Sequence, residues 1–306
     1  MNIALIIPTW NAAANWHALL SGIRLQNLQP DQVIVIDSSS TDGTAGFASA
    51  AGFKVIQIDR HSFSHGGTRQ AATLHAPQSD ILIYLTQDAI PYSPDSFSNL
   101  VSAFHDPAIG AAYGRQIPRP HASAIEAHAR LFNYPPSSRV RSWHSRSTHG
   151  FKSIFFSNAF GAFRRSALMS VGGFSPNANF GEDTLAAAQL HRAGWKTAYV
   201  ADALVEHSHN YSLQAEFLRN FEIGVFHECE PWLIEEFGSI GGEGRRFVVS
   251  EFRYLLQHAP LLIPSALLRT VVKYVAYRSG RRQARAAFWR KPQATPDLTN
   301  HPPRQS

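Results

Sequence analysis

The chain of 306 residues is 44% hydrophobic and 16% charged, enough to bury a large core and too apolar for a generally disordered protein. Its single cysteine, Cys229, excludes an internal disulfide and gives no sign of an oxidising compartment. The formal charge of +6 is local: residues 252–295 hold nine Lys or Arg and no Asp or Glu, against 19 basic and 22 acidic residues elsewhere. That tract, interleaved with Tyr254, Tyr274, Tyr277, Phe288 and Trp289, suits an anionic membrane surface or a solvated helical face. No nucleic-acid motif accompanies the charge, so a nucleic-acid partner is not expected. The start, MNIALIIPTW, has no basic flank and too short an apolar run for a signal peptide. The longest apolar stretch, 259–268, contains Pro264 and stops at Arg269, short of the roughly 20 residues a bilayer span requires. A cytoplasmic chain is expected, or one held at the inner face of a membrane.

The first hundred residues alternate strand and helix signals. Strands are predicted at 3–7, 33–36, 54–58 and 81–85, and helices at 16–23, 44–51 and 68–75. This alternation implies a parallel sheet with helices on both faces. Right-handed crossovers then set the strand C-termini along one edge, where such sheets bind ligands. Beyond residue 109 the pattern is mixed. Residues 118–150 read as a long loop with one short helix at 124–132, of a length that is usually functional or disordered. A short strand is predicted at 158–163, a helix at 182–193 and a strand at 196–200. Residues 214–290 read as mainly helical with a glycine break at 238–244. The division expected is a ligand-binding domain over 1–225, a basic helical extension over 226–295 and a tail over 296–306.

Polar, turn-prone loops follow each early strand: Pro8-Thr9-Trp10-Asn11, then Asp37-Ser38-Ser39-Ser40-Thr41-Asp42-Gly43, then Phe63-Ser64-His65-Gly66-Gly67-Thr68-Arg69, then Thr86-Gln87-Asp88. At a strand tip Asp37 can accept hydrogen bonds from a nucleobase imide or a ribose hydroxyl, or simply form the turn. Asp88 can hold Mg²⁺ or Mn²⁺ against a diphosphate, or serve as another turn residue. The glycine-rich entry to the helix offers backbone amides to phosphate oxygens, and Arg69 adds a donor fork; the plain alternative is a flexible turn with a surface arginine. Glu182 and Asp183 open a helix, where the dipole favours carboxylates whatever their function, and where one of them can act as a general base. In Glu206-His207-Ser208-His209, either histidine can ligate a metal through neutral imidazole, and their i, i+2 spacing points both the same way in extended chain. No Cys or HExxH context accompanies them, so a structural zinc site is not expected.

Taken in order, these stretches, completed by Gly181-Glu182-Asp183 and His207-Ser208-His209-Asn210-Tyr211, resemble family 2 glycosyltransferases. The likeness is greatest to the bacterial rhamnosyltransferases of surface-polysaccharide assembly, and it covers about residues 2–225. It implies an A-type (GT-A) Rossmann-like fold, a mostly parallel sheet flanked by helices. It also implies that Thr9 and Asp37 contact the nucleoside and Arg69 the donor phosphates. Pro8, Trp10, Asn11, Ser39, His65, Gly67 and Gln87 would line the same nucleotide-sugar site. Asp88 matches the last carboxylate of the family's DxD motif, with Asp183 as catalytic base, Glu182 beside it and His207 as a further metal contact. One departure stands out: Thr86 occupies the place of the first DxD carboxylate.

The activity implied is inverting transfer of L-rhamnose from dTDP-L-rhamnose, with Mg²⁺ or Mn²⁺, to a saccharide acceptor, possibly lipid-linked, in polysaccharide or O-antigen assembly. The competing readings are a glycosyltransferase using a UDP- or GDP-sugar, and a non-catalytic, membrane-associated sugar-nucleotide-binding protein. Retention of both Asp88 and Asp183 argues against the second, since a binding module needs no base. No G-x-G-x-x-G follows the first strand, which disfavours a dinucleotide-dependent dehydrogenase.

Overall fold

Strands whose apolar residues run on without alternation must be covered on both faces. The first strand, β1 (Ile3–Thr9), shows this directly. Ile3, Leu5 and Ile7 enter one hydrophobic cluster and Ala4 and Ile6 another, on opposite sides of the sheet. The computed structural model describes residues 1–176, 178–238 and 241–290. The tail expected over 296–306 lies outside the described residues, as does the end of the extension expected over 226–295.

The remaining strands are β2 (Gln32–Asp37), β3 (Lys54–Gln57), β4 (Ile81–Leu85), β5 (Ile90–Pro91), β6 (Ile109–Ile117), β7 (Arg139–Arg141), β8 (Phe160–Arg164) and β9 (Lys196–Glu206). The helices are α1 (Ala13–Arg24), α2 (Thr44–Ala50), α3 (His65–Leu74), α4 (Ser96–Ser102), α5 (Ala124–Asn133), α6 (Arg146–His149) and α7 (Arg165–Ser170). They continue with α8 (Glu182–Arg192), α9 (Leu213–Cys229), α10 (Pro231–Phe237), α11 (Gly241–His258) and α12 (Ile263–Arg290). The sheet order is β3-β2-β1-β4-β8-β6-β9-β5, with β7 paired to β9.

β1 to β4 pair in parallel, and β6 pairs in parallel with β9. Between these two blocks β8 runs antiparallel to both β4 and β6. The expected parallel sheet is therefore a mixed one. Its reversed strand brings residues 157–159, just before β8, to the edge where β4, β6 and β9 end. The chain order also reverses between β1 and β4, the switch point at which open α/β sheets take their ligands.

One face of the sheet is covered by Trp16, Leu19 and Ile23 of α1 and Phe97, Leu100 and Val101 of α4. The other is covered by Ala72 of α3, Ala167 and Leu168 of α7, and Ala186, Ala187 and Leu190 of α8. Helices on both faces were expected; β6 was not, and the strand expected at 196–200 continues to Glu206 through a register shift opposite Gly114 and Arg115. Within the long loop expected over 118–150 the helix expected at 124–132 is α5, and β7 and α6 add structure that was not expected.

The C-terminal helices pack back onto the sheet domain. Leu185 and Ala188 of α8 share a cluster with Phe226 of α9, Leu233 and Phe237 of α10, and Ile154. α12 lies along α9, where a Cβ built on Gly280 would collide with the Phe221 carbonyl, and one on Gly224 with that of Tyr277. Glu216 of α9 pairs with Arg269 at 3.1 Å and Lys273 at 3.5 Å, and Glu228 pairs with Arg281 and Arg285 at 2.7 and 2.6 Å. Four of the nine basic residues in the C-terminal tract are thus directed inward to α9. Among the described residues no helix is long and apolar enough to cross a membrane.

The close approach of α9 and α12 is testable. Gly280→Ala is expected to lower the unfolding free energy by about 1–3 kcal/mol through the forced separation. The opposing gain in helix propensity is roughly 1 kcal/mol. A denaturant midpoint equal to or above that of the wild type would show that the two helices do not meet here.

Candidate active site

Three acceptor groups meet at the carboxyl edge of the sheet. Asp88 follows β4, and His207 and His209 follow β9. Asp88 Oδ2 lies 3.5 Å from His207 Nε2 and 3.1 Å from His209 Nε2, and the two Nε2 atoms are 3.0 Å apart. His207 Nδ1 lies 2.8 Å from Gln116 Oε1, which also accepts from Arg130 Nη1 at 2.9 Å. An oxygen already facing a guanidinium accepts from Nδ1 of His207, which leaves Nε2 turned toward Asp88 and His209. Burial favours the neutral form of His209 and the charge on His207 adds to this, so its value falls to about 4. Burial also works to raise the Asp88 carboxyl. The His207 hydrogen bond, the two histidines' charges and a hydrogen bond from Thr86 outweigh it, and Asp88 stays well below the usual carboxylate range. One carboxylate and two imidazole nitrogens, all within 4.8 Å of one another, are a donor set that fits a divalent cation.

α5 braces this cluster. Glu126 Oε1 accepts from the His209 amide at 3.2 Å and from Arg130 at 2.7 Å, and Arg130 in turn reaches Gln116. The helix starts here because Ser123 caps it, its Oγ accepting from the Glu126 amide. Arg119 donates to the Asp88 carbonyl. None of Gln116, Arg119, Glu126 and Arg130 stands out in the sequence. Only the Ser123-x-x-Glu126 spacing, a helix-start signature, carried a readable signal.

The second centre is the start of α8. Asp183 Oδ1 accepts from the Thr184 amide at 2.7 Å, and Oδ2 from the Asn158 amide at 3.2 Å. Glu182 Oε1 receives Arg69 Nη1 at 3.1 Å and Asn158 Nδ2 at 3.1 Å. Burial raises the Asp183 carboxyl and the neighbouring Glu182 charge adds to it, so its value reaches about 7. Burial acts on Glu182 in the same sense, but Arg69, His65 and the Asn158 hydrogen bond together outweigh it and keep Glu182 below the ordinary range. Two adjacent carboxyls are thereby driven apart in acidity, the arrangement that lets one of them exchange a proton near neutral pH.

Three consecutive residues join the two centres. Ser157 Oγ accepts from Gln116 Nε2 at 2.9 Å, Asn158 holds both Glu182 and Asp183, and the Ala159 carbonyl accepts from the Thr86 amide at 3.1 Å. They precede β8, whose reversed direction sets them at this edge.

The rim loops depart in part from expectation. Asp37 is 0% exposed, and its oxygens accept from Thr9 Oγ1 at 2.9 Å, from Ser40 Oγ and from the Ser40 amide. Thr9 and Asp37 therefore fix the loop. Arg69, 4% exposed, is turned inward to Glu182 and the His65 carbonyl. The amides of Gly66, Gly67 and Thr68 are likewise taken, by Ala178, Ser64 Oγ and the Ser64 carbonyl. Gly66 serves a close approach, since a Cβ there would collide with the Ser175 carbonyl. His65 remains exposed at the rim.

Pro8 closes β1 half-buried, and Trp10 stands 44% exposed with the Arg60 guanidinium 3.3 Å over its ring. The Trp10 amide donates to Gln87 Oε1 at 2.7 Å and Gln87 Nε2 donates back to the Trp10 carbonyl at 3.0 Å, a double bridge across the switch point. Asn11 and Ser39 both hold left-handed backbone, at φ of 47° and 57°. Such strain in non-glycine residues gathers at functional edges.

The family profile described as "Glycosyltransferase like family 2" matches residues 1–221. The O-antigen chain rhamnosyltransferase RfbN of Salmonella typhimurium is 46% identical over 282 residues, 92% of this chain and 90% of that protein. WbaN of Salmonella anatum, another O-antigen chain rhamnosyltransferase, is 43% identical over 281 residues, 92% and 89% of the two chains. Among solved structures, the mannosyltransferase PcManGT of Pyrobaculum calidifontis, in complex with GDP-Man and Mn²⁺, aligns with a TM-score of 0.57 at 19% identity. It covers 95% of this chain and 81% of that one. S. aureus TarS 1–349 with UDP-GlcNAc aligns at 0.56 and 13% identity, covering 94% and 92%. These likenesses establish the A-type glycosyltransferase fold for the mixed sheet and its flanking helices. With the profile spanning most of the chain and two relatives above 40% identity, the protein belongs to the family 2 glycosyltransferases and is a glycosyltransferase.

Proposed function

We propose that the enzyme transfers L-rhamnose from dTDP-L-rhamnose to a hydroxyl of a lipid-linked saccharide during O-antigen assembly, acting on the cytoplasmic side at the inner face of the membrane. The observation that carries the transfer chemistry is the paired site: Asp183 poised near neutrality, and the Asp88–His207–His209 cluster joined to it through residues 157–159. The choice of sugar and pathway draws support from the names of the two Salmonella relatives.

Asp88, His207 and His209 would hold Mg²⁺ or Mn²⁺, with His209 supplying the ligand that Thr86 cannot. Bound there, the ion would offset the charge of the departing diphosphate. Asp183 takes the proton of the acceptor hydroxyl as its oxygen forms a bond to the anomeric carbon. The bond to the diphosphate breaks on the opposite side, and the diphosphate leaves with the electron pair. One displacement inverts the centre, so a β-L-rhamnosyl donor yields an α-L-rhamnoside. Glu182, held charged by Arg69, keeps Asp183 basic enough for the task. Pro8, Trp10, Asn11, Ser39, His65, Gly67 and Gln87 form the rim against which the nucleotide sugar would lie, with Thr9 and Asp37 shaping it from beneath. Residues 1–225 would make up the catalytic unit and 226–295 the acceptor-side extension.

Thermal unfolding with dTDP, UDP and GDP, each with and without Mg²⁺, tests the donor class. A ligand at ~100 times its dissociation constant adds about 2.7 kcal/mol, a visible shift. dTDP with Mg²⁺ is expected to stabilise most, and Asp88→Ala or His209→Ala to remove the metal dependence. Greater stabilisation by UDP or GDP would overturn the donor assignment, and an unchanged metal response would remove the substituted residue from the ligand set.

Asp183→Asn is expected to bind dTDP as the wild type does and to lower turnover by about 10²–10⁴-fold. The same variant has a stability signature. Because the folded-state value of Asp183 is raised to about 7 from 3.8, the folded chain keeps a proton that the unfolded chain has released. The stability this group contributes is fully present below the unfolded value and is lost as pH rises through the folded one. Asp183→Asn should therefore gain melting temperature relative to wild type as pH rises from about 4 to about 7. A constant difference across that range would show that Asp183 is not held in an environment hostile to its charge.

A further inference from the structure

We infer that the hairpin of α11 and α12 is a docking surface for an anionic lipid membrane, with apolar side chains entering the interface and arginines flanking them. The inference goes beyond the reading above, because it holds whichever sugar is transferred. It also replaces the expectation drawn from the basic tract alone, since four of those basic side chains are paired with α9.

What is left on the outer face is apolar. On α11, Val249, Phe252 and Leu256 recur at helical spacing and are exposed. Leu261, in the turn between the helices, is 93% exposed. On α12, Leu268, Val271 and Val275 continue the exposed row, beside Tyr274 at 62%. The opposite faces are fully engaged. Glu251 and Leu255 of α11 are buried, His128 of α5 meets Ser250 at 2.9 Å, and Ala266, Ala276 and Gly280 of α12 turn inward. Two helices already satisfied on one side and apolar on the other mark an interaction surface, not an incomplete core.

Charge selects the occupant. Arg245 and Arg253 flank the α11 row, and Arg278 and Arg282 end the α12 row; all four are exposed, and among the described residues none is in an ion pair with a carboxylate. Residues 252–290 contain no Asp or Glu. A second copy of the chain would set arginine against arginine with no carboxylate of the patch to relieve it. An anionic lipid surface meets the guanidiniums with phosphates and takes the leucines and Phe252 into its apolar boundary, the division of labour of interfacial helices.

The placement also suits the chemistry. α11 packs on α5, and α5 holds the His209 amide through Glu126. From α12, Arg269 donates to the Tyr211 carbonyl at 2.8 Å. The hairpin is thus joined on two sides to the segment that carries His207 and His209.

The test is flotation of the full-length protein, without donor, with vesicles of phosphatidylcholine alone and of phosphatidylcholine mixed with phosphatidylglycerol. Wild type is expected to bind the anionic vesicles about tenfold or more tightly than the neutral ones, and to lose that preference at high salt. Phe252→Glu with Leu261→Glu, and separately Arg253→Gln with Arg278→Gln, should each lower binding to anionic vesicles by about tenfold or more. All four side chains are exposed, so circular dichroism and dTDP-induced stabilisation should match wild type. Variants that float like wild type, or a wild type that binds neither vesicle, would overturn the inference. So would a wild-type dimer in solution that Phe252→Glu with Leu261→Glu splits while vesicle binding is absent. Because dTDP binding is read separately, a wrong donor and a wrong docking surface give different results.

Discussion

The buried pair of Arg69 and Glu182 governs the chemistry of this fold. Two carboxyls side by side at the start of α8 would ordinarily be two similar acids. Burial raises Asp183 most, and the charge of Glu182, which Arg69 pairs with and helps keep ionised, adds to it from 1 residue away. The helix dipole, which would lower both, is outweighed at Asp183. The same ion pair links α3 to α8, two helices from distant parts of the chain that cover one face of the sheet. The cost of burying a charged pair is offset in part by further bonds: Asn158 serves Glu182, and the His65 carbonyl serves Arg69. Arg69 thus lies one step behind Asp183, through Glu182.

The second constraint is the direction of β8. Had it run parallel to its neighbours, residues 157–159 would lie at the far edge of the sheet, away from both Asp183 and the Asp88–His207–His209 cluster. Because it is reversed, three successive residues bind Gln116, the Glu182–Asp183 pair and the loop leading to Asp88. The two centres are then held by one short piece of backbone. This also bears on Thr86. Asp88, which stands at the last DxD position with Thr86 at the first, is joined by two histidines from the end of β9, because that end lies beside the end of β6, where Gln116 and α5 orient them.

The legible parts of the sequence were those set by local pattern. β1, β2 and β4 are dense in Ile, Leu and Val and end at polar turns, so strand, direction and the ligand-binding edge followed from the period alone. Asp88, Asp183, Glu182 and His207 lay in short motifs whose order is distinctive, and all four sit at the two centres. Long-range pairing was not legible. β6, with two glycines and Arg115-Gln116 at its end, has little strand propensity, and its burial comes from β8 and β9 on either side. The antiparallel sense of β8 leaves no trace in five residues. Nor could the sequence show that Arg69 and Asp37 turn inward, since side-chain direction there depends on partners 113 and 28 positions away, Glu182 and Thr9. His209 was readable as a possible ligand, but only the fold brings it to Asp88.

The C-terminal helices show how misleading charge can be when counted along a chain. The tract from 252 onward reads as uniformly basic, yet its arginines divide by helical face. Arg269, Lys273, Arg281 and Arg285 face α9 and neutralise Glu216 and Glu228, while Arg278 and Arg282 face outward. The first set holds the hairpin to the catalytic body, and glycines at the α9–α12 contact let the backbones close enough for those ion pairs to form. The second set, with Arg253 of α11, is free to meet a partner. A surface that carries exposed leucine, valine and phenylalanine in rows would aggregate unless something covered it, and the flanking arginines restrict what can. The same helix that presents this face inward-packs on α5, so the body that orients the two histidines is also the body on which the hairpin is mounted. A membrane-borne acceptor and the cation cluster would then be positioned by one rigid set of helices, with no hinge required between docking and transfer.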